Sequence, residues 1–442
     1  MKPNFVRHLG LMLLGASAAR VLSFGNLLLA ARLYSKDDFG GLALALGFVG
    51  LVQPFLTLRY EIAVVLARTD EAARSLVYGV VGIALCIYAV VALLVVAAPG
   101  LLADLIPPDL IVGLRAPVLL HLAASVVIVS LTAWLQKHKA FGTIAASQFA
   151  GALGTAVLVL GAPFVVEATL TALVWGYAGG ALLSALILAA ATPRSGLFGL
   201  GVQSGRIWPL LVKYRVYPTY SLPLTISSLT SDRALLLYLS GAFSLGTLGG
   251  FYSVRQLLFG LVHLVTSSIN QVVFPYVSQT EKGVAGAKRP LLAMTRTVAV
   301  TTGLGLGWLC LHATAVTLIL LGDQWLDVAQ LMPWIAAHAA LWLVTAYRVS
   351  RLGTSQAIAC MALLGASALA AAALAALCKL AFGPLVGMMV SLAIIAVGVA
   401  IALLGMAKHI NQHAGWRTTP TAPLLRARLR PIEGPRESGQ GA

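Results

Sequence analysis

Long apolar segments alternate with short polar loops along most of this chain. About twelve of these segments reach roughly twenty residues, and a helix of that length crosses the ~30 Å hydrocarbon core of a bilayer. The pattern therefore predicts an all-α polytopic membrane protein without a sizeable water-exposed domain. The predicted spans are residues 9–32, 39–66, 75–98, 113–134, 142–162, 168–191, 216–240, 245–276, 291–321, 329–350, 357–380 and 384–407.

Composition agrees with a membrane protein and argues against several other classes. Hydrophobic residues make up 59% of the 442 positions and charged residues only 10%, against about 25% in a typical soluble domain. The formal net charge of +16 comes mostly from Lys and Arg in short loops beside the spans, so nucleic acid is a poor partner. Four cysteines inside apolar spans lack metal-ligand spacing and are expected to be core residues: Cys86, Cys310, Cys360 and Cys378.

The loops on the two sides differ in basic residues, and this difference predicts an orientation. One side holds nearly all of the Lys and Arg, whereas the other holds only Arg32, Lys36, Arg115 and, near a boundary, Lys379. Because basic loops stay in the cytoplasm, both termini are expected there, as an even number of spans also requires. Lys2 and Arg7 resemble the start of a signal peptide, but the apolar run continues to Ala31 and is expected to remain as the first span.

The longest internal loop divides the spans into two groups of six. Both groups begin in the cytoplasm, as parallel repeats related by an axis along the membrane normal do. A weak repeat supports duplication, because Phe39-Gly40-Gly41-Leu42 opens span two and Leu248-Gly249-Gly250-Phe251 opens span eight. The predicted units are an N-terminal six-helix lobe, a cytoplasmic connecting loop with a short interfacial helix, a C-terminal six-helix lobe and a disordered basic tail, at residues 1–191, 192–215, 216–408 and 409–442.

Six ionisable residues lie at depth within the spans, and arginines outnumber acids among them. Each such charge is costly unless it faces water or a partner. A surplus of arginines predicts a wet cavity that receives an anion, and a guanidinium suits phosphate because it stays protonated and binds two oxygens at once. The predicted substrate-binding residues are Arg20, Arg59, Arg233 and Arg255, and the two acids are Glu61 and Asp232.

Other roles remain open for these residues on sequence alone. Arg59 with Glu61, and Asp232 with Arg233, could be structural ion pairs. Positions one or two apart do not share a helix face, so we expect any such pairing to involve other helices. Glu61 or Asp232 either carries a coupling proton or sodium ion or holds an arginine in place. We predict no catalytic residue, metal ligand or bound cofactor.

Five short motifs occur in order along the chain. The turn before span two reads Ala31-Arg32-Leu33-Tyr34-Ser35-Lys36-Asp37-Asp38-Phe39-Gly40, and Leu58-Arg59-Tyr60-Glu61-Ile62-Ala63 follows within that span. The others are at 213–221, 250–258 and 322–325. Together they resemble the motifs of the polysaccharide-type (Wzx or O-antigen) flippases of the multidrug/oligosaccharidyl-lipid/polysaccharide superfamily, over residues 5–408. Lys36 stands where that family usually has Pro.

The resemblance implies a function and an architecture. It implies movement of an undecaprenyl-pyrophosphate-linked oligosaccharide from the cytoplasmic to the periplasmic leaflet of the bacterial inner membrane, for surface polysaccharide synthesis. It also implies a MATE/MurJ-like pair of six-helix lobes around a cationic cavity, which rock between inward-open and outward-open states. A polysaccharide polymerase or other assembly proteins are expected partners besides the lipid bilayer.

Two other classes of membrane protein share part of this pattern. A multidrug or metabolite antiporter of the same superfamily would also have twelve helices, but it would favour acids over arginines for cationic drugs. A membrane polysaccharide polymerase or ligase handles the same substrate but usually carries a large periplasmic loop. Here the longest outer loop, 99–112, is short, and the sequence shows no nucleophile–base constellation, so an enzyme is not expected.

Overall fold

The computed structural model of the protein covers part of the chain. It describes residues 3–98, 108–192, 207–229, 244–260 and 303–336, with Gly100 and Leu197 in addition and Leu306 and Trp334 excepted. Several predictions concern residues outside this set, namely Asp232 and Arg233, the last two spans and the tail at 409–442.

Every regular element of the described residues is a helix. Short 3-10 helices lie at Ala162–Phe164 and Asp323–Leu331, and a π-helical turn lies at Tyr217–Ser221. The α-helices are α1 Pro3–Leu33, α2 Lys36–Thr57, α3 Glu61–Leu66, α4 Asp70–Ala97, α5 Pro108–Lys137, α6 Phe141–Gly161, α7 Leu170–Ala191, α8 Ile207–Lys213, α9 Leu222–Leu229, α10 at 245–260, α11 Gly303–Leu311 and α12 Ala313–Leu320.

Five helices of the described part are long and apolar enough to cross a membrane, and α11 with α12 makes a sixth if the bent pair is one span. The five coincide with predicted spans two to six: Lys36–Thr57, Asp70–Ala97, Leu110–Lys137, Phe141–Phe164 and Leu170–Ala191. The prediction of a multi-pass helical membrane protein is thereby confirmed, while the total of twelve spans stays a prediction.

Span two is broken, contrary to the prediction of one helix over 39–66. The helix α2 ends at Thr57, and Leu58 and Arg59 adopt left-handed conformations with φ of 46° and 63° before α3 begins at Glu61. A left-handed residue cannot continue a right-handed helix, and for side chains with a Cβ it costs about 1–2 kcal/mol. The chain therefore makes a strained elbow at residues 58–60.

Span nine, predicted over 291–321, is bent in its described part. The helices α11 and α12 meet at an angle of 86° around His312. Gly303, Gly305 and Gly307 lie just before the bend. Because glycine weakens a helix interior by roughly 0.5–1 kcal/mol relative to alanine, this segment resists bending less than its apolar composition suggests.

The start of α2 is fixed by a capping box. The Ser35 hydroxyl accepts a hydrogen bond from the Asp38 amide at 3.2 Å, and the Asp38 carboxylate accepts one from the Ser35 amide at 3.0 Å. This reciprocal cap satisfies two amides that the helix leaves open. The polar residues 36–38 therefore form the first turn of the helix, which begins three residues before the predicted boundary.

Buried apolar residues form two cores. The larger one joins residues of α1, α2, α5 and α7 to residues of α10, α12 and the 3-10 helix after it, so both halves of the chain contribute. The smaller one joins α3 to one end each of α4, α5, α6 and α7 and includes Leu211 of α8. The Tyr60 hydroxyl donates a hydrogen bond to the Leu211 carbonyl oxygen at 3.0 Å, which fixes α8 to the first half of the chain.

Helices α6 and α7 approach closely through glycines. A Cβ at Gly180 of α7 would overlap the Thr155 hydroxyl and the Gly151 carbonyl oxygen of α6. Gly142, near the start of α6, has open space around it. Small residues let membrane helices approach to backbone contact. This pair is therefore sensitive to a single methyl group.

We expect Gly180→Ala to lower the stability of the protein by about 1–3 kcal/mol, because α6 and α7 must move apart to admit the methyl group. Thermal unfolding of the detergent-purified protein would show a melting temperature several degrees lower. Gly142→Ala is the matched control and should leave it unchanged. Equal melting temperatures for the two variants would contradict the close approach.

Candidate functional site

Arg20 lies in α1 with an exposed side chain. Phe24, one turn later on the same helix, contacts α10, because a Cβ at Gly260 would lie 3.3 Å from the Phe24 ring. Residues four apart share a helix face. Arg20 therefore lies on the same side of α1 as Phe24, one turn before the contact with Gly260, and is itself exposed.

Arg255 lies in α10, five residues before Gly260. Its side chain is buried, with the residue only 6% exposed, and its guanidinium carbon lies 4.5 Å from the centroid of the Phe259 ring. A guanidinium over an aromatic face is stabilised by the ring quadrupole, more strongly where water is excluded. Phe259 thus provides part of the partner that a buried cation needs.

The helices α1 and α10 run antiparallel, since Phe24 of α1 lies beside Gly260, whereas Lys36, three residues after the end of α1, lies beside Gly246. Arg20 and Arg255 lie four and five residues to either side of the contact between Phe24 and Gly260. At 1.5 Å per residue, this separates them by roughly 14 Å along the helix axes. Two of the predicted arginines thus lie on a pair of contacting helices, at different depths.

Arg59 and Glu61 form a direct ion pair, with Arg59 Nη1 and Glu61 Oε1 2.9 Å apart. The prediction that each would pair with another helix is wrong. It assumed helical geometry, in which positions two apart point to different faces, but the left-handed residues of the elbow remove that geometry. The structural pairing that the sequence left open for these two residues is therefore present.

The elbow leaves part of this pair unsatisfied. Among the residues that the structure describes, the buried atoms Arg59 Nε and Glu61 Oε2 have no hydrogen-bond partner. A buried polar atom without a partner costs about 1–3 kcal/mol. Strained backbone and unsatisfied polar atoms at one place are typical of functional sites, where a ligand, ion or water completes the set.

The other two predicted site residues, Asp232 and Arg233, lie outside the described residues. The structure therefore places Arg20 and Arg255 on two helices that contact each other, and Arg59 with Glu61 at a separate elbow. Whether these residues bind a substrate stays a prediction.

A group of hydrogen bonds and an ion pair joins the two halves of the chain at the turn between α1 and α2. This group, called the seam below, was not predicted from the sequence. The Ala31 carbonyl oxygen accepts hydrogen bonds from Gln324 Nε2 at 2.6 Å and from Trp325 Nε1 at 2.8 Å. In the opposite direction, Arg32 Nη2 donates to the Ile319 carbonyl oxygen at 2.6 Å. Lys36 Nζ and Asp327 Oδ1 form an ion pair of 2.6 Å at the exposed edge.

A signal for the seam was present in the sequence. Three of the five motifs that carry the family resemblance, at 31–40, 250–258 and 322–325, adjoin it, although they are far apart along the chain. The paired glycines that look like an internal repeat also meet, since a Cβ at Gly249 would overlap the Lys36 carbonyl oxygen and lie close to the Gly40 amide. Family motifs that lie far apart along a chain can indicate that the segments carrying them contact each other in the fold.

Comparisons with known proteins agree with this fold. A family model described as polysaccharide biosynthesis protein matches residues 29–330. Among solved structures, "Lipid II flippase MurJ, inward closed conformation" is similar with a TM-score of 0.71 and 11% identity, over 91% of this chain and 87% of that one. No curated protein matches the sequence.

A multidrug resistance transporter of the MATE family, from the MOP superfamily and in an inward-facing conformation, is similar with a TM-score of 0.55 and 13% identity, over 91% of this chain and 96% of that one. At these identities the likeness concerns the fold alone. It confirms the prediction of an all-helical membrane protein with a MurJ/MATE-like fold.

We expect Arg59 and Glu61 to be energetically coupled in a double-mutant cycle. Glu61→Ala leaves a partly buried guanidinium without its partner, and Arg59→Ala in the same chain removes that charge again. Because the pair is partly exposed, a coupling of about 1–2 kcal/mol is expected in the free energy of unfolding. Additive effects of the two substitutions would show that the pair contributes nothing.

Proposed function

The chain belongs to the polysaccharide biosynthesis protein family, and on this premise we propose that it is a flippase for a lipid-linked oligosaccharide. The substrate in this proposal is an undecaprenyl-pyrophosphate-linked repeat unit, carried from the cytoplasmic to the periplasmic leaflet of the bacterial inner membrane for O-antigen, capsule or exopolysaccharide synthesis. The observation that carries the proposal is the MurJ-like fold, with an arginine on each of two contacting helices, one from each half of the chain.

The arginines suit the charged part of such a substrate. A guanidinium forms paired, charge-assisted hydrogen bonds to phosphate oxygens. Arg20 is exposed and can receive a diphosphate directly, whereas Arg255 is covered by Phe259. In this proposal Arg255 becomes accessible when α1 and α10 move apart, and Arg233 contributes a third cation.

The elbow has a different role in the proposal. Glu61 holds Arg59 through one carboxylate oxygen, and the unsatisfied Arg59 Nε is directed to an anionic group of the substrate. Coupling of transport to a proton or sodium ion then falls to Glu61 Oε2 or to Asp232. The oligosaccharide itself is recognised by groups that the sequence does not single out.

The orientation and partners follow from the same proposal. The basic loops place both termini in the cytoplasm. A polymerase or other assembly protein on the periplasmic side would consume the translocated unit, since the flippase itself forms no glycosidic bond.

The alternative function is that of a multidrug or metabolite antiporter, which the structural similarity to the MATE transporter supports. The predicted deep charges favour the flippase, because a surplus of arginine repels cationic drugs and attracts phosphate. A membrane polymerase or ligase fits less well, because the fold is that of transporters.

We expect a deletion strain to accumulate the lipid-linked repeat unit on the inner leaflet, and Arg20→Ala or Arg255→Ala to fail to restore surface polysaccharide. Loss of a charge-assisted hydrogen bond is worth about 1.5–3 kcal/mol, so export should fall roughly tenfold to a hundredfold. Arg68→Ala, which removes an exposed arginine between α3 and α4, is the matched control and should restore export.

Membrane levels of each variant must match the wild type. Full complementation by both Arg20→Ala and Arg255→Ala would remove the cationic site from the proposal. Normal surface polysaccharide in the deletion strain, without accumulation of the repeat unit, would contradict the flippase function itself.

A further inference from the structure

Each half of the chain caps a helix end of the other half at the seam. The last carbonyls of an α-helix have no partner within it. At the end of α1, the Ala31 carbonyl oxygen is satisfied by Gln324 and Trp325 of the second half. At the end of α12, the Ile319 carbonyl oxygen is satisfied by Arg32 of the first half. The two helix ends therefore depend on each other's half for their hydrogen bonds.

The seam also has a buried aromatic centre. Trp325 is fully buried, and its ring packs edge-on against Phe39, with the centroids 5.4 Å apart and the planes at 87°. The neighbouring Tyr34 hydroxyl donates to the Val159 carbonyl oxygen at 2.8 Å, which ties the turn to α6 of the first half. Burial, and to a lesser extent the charge of Asp38, raises the pKa of the Tyr34 phenol, so this group remains a donor.

Backbone contact completes the closure. A Cβ at Gly40 would overlap the Leu245 carbonyl oxygen, and one at Gly249 would overlap the Lys36 carbonyl oxygen. The ends of α2 and α10 therefore lie against each other with no side chain between them. No polar substrate can pass between these two helix ends in this arrangement.

We propose that Arg32, Gly249, Gln324 and Trp325, with the carbonyls of Ala31 and Ile319, form a reversible latch that closes the transport pathway at the end of the molecule where the turn between α1 and α2 lies. This inference rests on the proposed function. The latch is reversible because its hydrogen bonds can be exchanged for bonds to water when the halves separate. A purely apolar closure of the same area would have no such replacement.

A cross-lobe disulfide tests the latch directly. A Cβ at Gly246 would lie 3.7 Å from the Lys36 Cβ, close to the mean separation of about 3.8 Å in disulfides. Lys36→Cys with Gly246→Cys, in a chain whose four native cysteines are replaced by alanine, should cross-link the halves on oxidation. The matched control is Gly154→Cys with Leu183→Cys, which joins α6 to α7 within one half, also at 3.7 Å.

We expect both pairs to cross-link, and export to fall at least tenfold only for the oxidised cross-lobe pair, with recovery on reduction. Undiminished export by the cross-linked cross-lobe pair would overturn the latch. So would failure of this pair to cross-link in cells that cross-link the control. Cross-linking is read on gels without reference to export, so normal surface polysaccharide in a deletion strain would refute the proposed function separately.

The capping of the Ala31 carbonyl oxygen is tested by Trp325→Phe, which keeps a ring against Phe39 but removes the indole N–H. We expect the cross-lobe disulfide to form several-fold more slowly in this variant, because the latched state is less populated. Trp308→Phe, at an exposed tryptophan of α11 that does not contact the seam, is the control and should leave the rate unchanged. Equal rates for both variants would show that the indole N–H does not hold the latch.

Discussion

A polar group without a hydrogen-bond partner has a high free energy in a bilayer, and the contacts of this protein serve to satisfy such groups. Each helix satisfies its own backbone except at its ends. At the seam, carbonyl oxygens at the ends of α1 and α12 accept hydrogen bonds from donors in the opposite half of the chain. The two neutral hydrogen bonds each contribute about 0.5–1.5 kcal/mol and the one from the Arg32 guanidinium about 1.5–3 kcal/mol, so the seam is strong enough to hold and weak enough to open.

The same constraint governs the buried charges. Arg255 lies over the ring of Phe259, and Arg59 is paired with Glu61 at a backbone elbow that no regular helix would form. The elbow stores strain and leaves two polar atoms unsatisfied, whereas Arg20 remains exposed on α1. Each buried guanidinium therefore has a partner of its own, a ring for Arg255 and a carboxylate for Arg59.

Much of the fold could be predicted from hydropathy, because a span of about twenty apolar residues admits few alternatives to a helix. The helices at 70–97, 141–161 and 170–191 followed directly. The elbow could not be predicted, since Leu58 and Arg59 are not residues that usually adopt positive φ, and the sequence around them does not indicate a break in the helix. The seam was missed because its partners, such as Ala31 and Trp325, are distant in sequence and meet only in the folded chain, where a hydrogen bond joins them.

Reconstitution of the purified protein into vesicles tests the central claim most directly, namely that deep arginines receive a diphosphate. The measurement is the rate at which a fluorescent undecaprenyl-pyrophosphate-linked oligosaccharide crosses the bilayer, compared with the same glycan on a neutral undecaprenyl carrier. The account predicts protein-dependent movement of the diphosphate lipid and little of the neutral one. Equal rates for both lipids, or no protein-dependent movement of either, would contradict it.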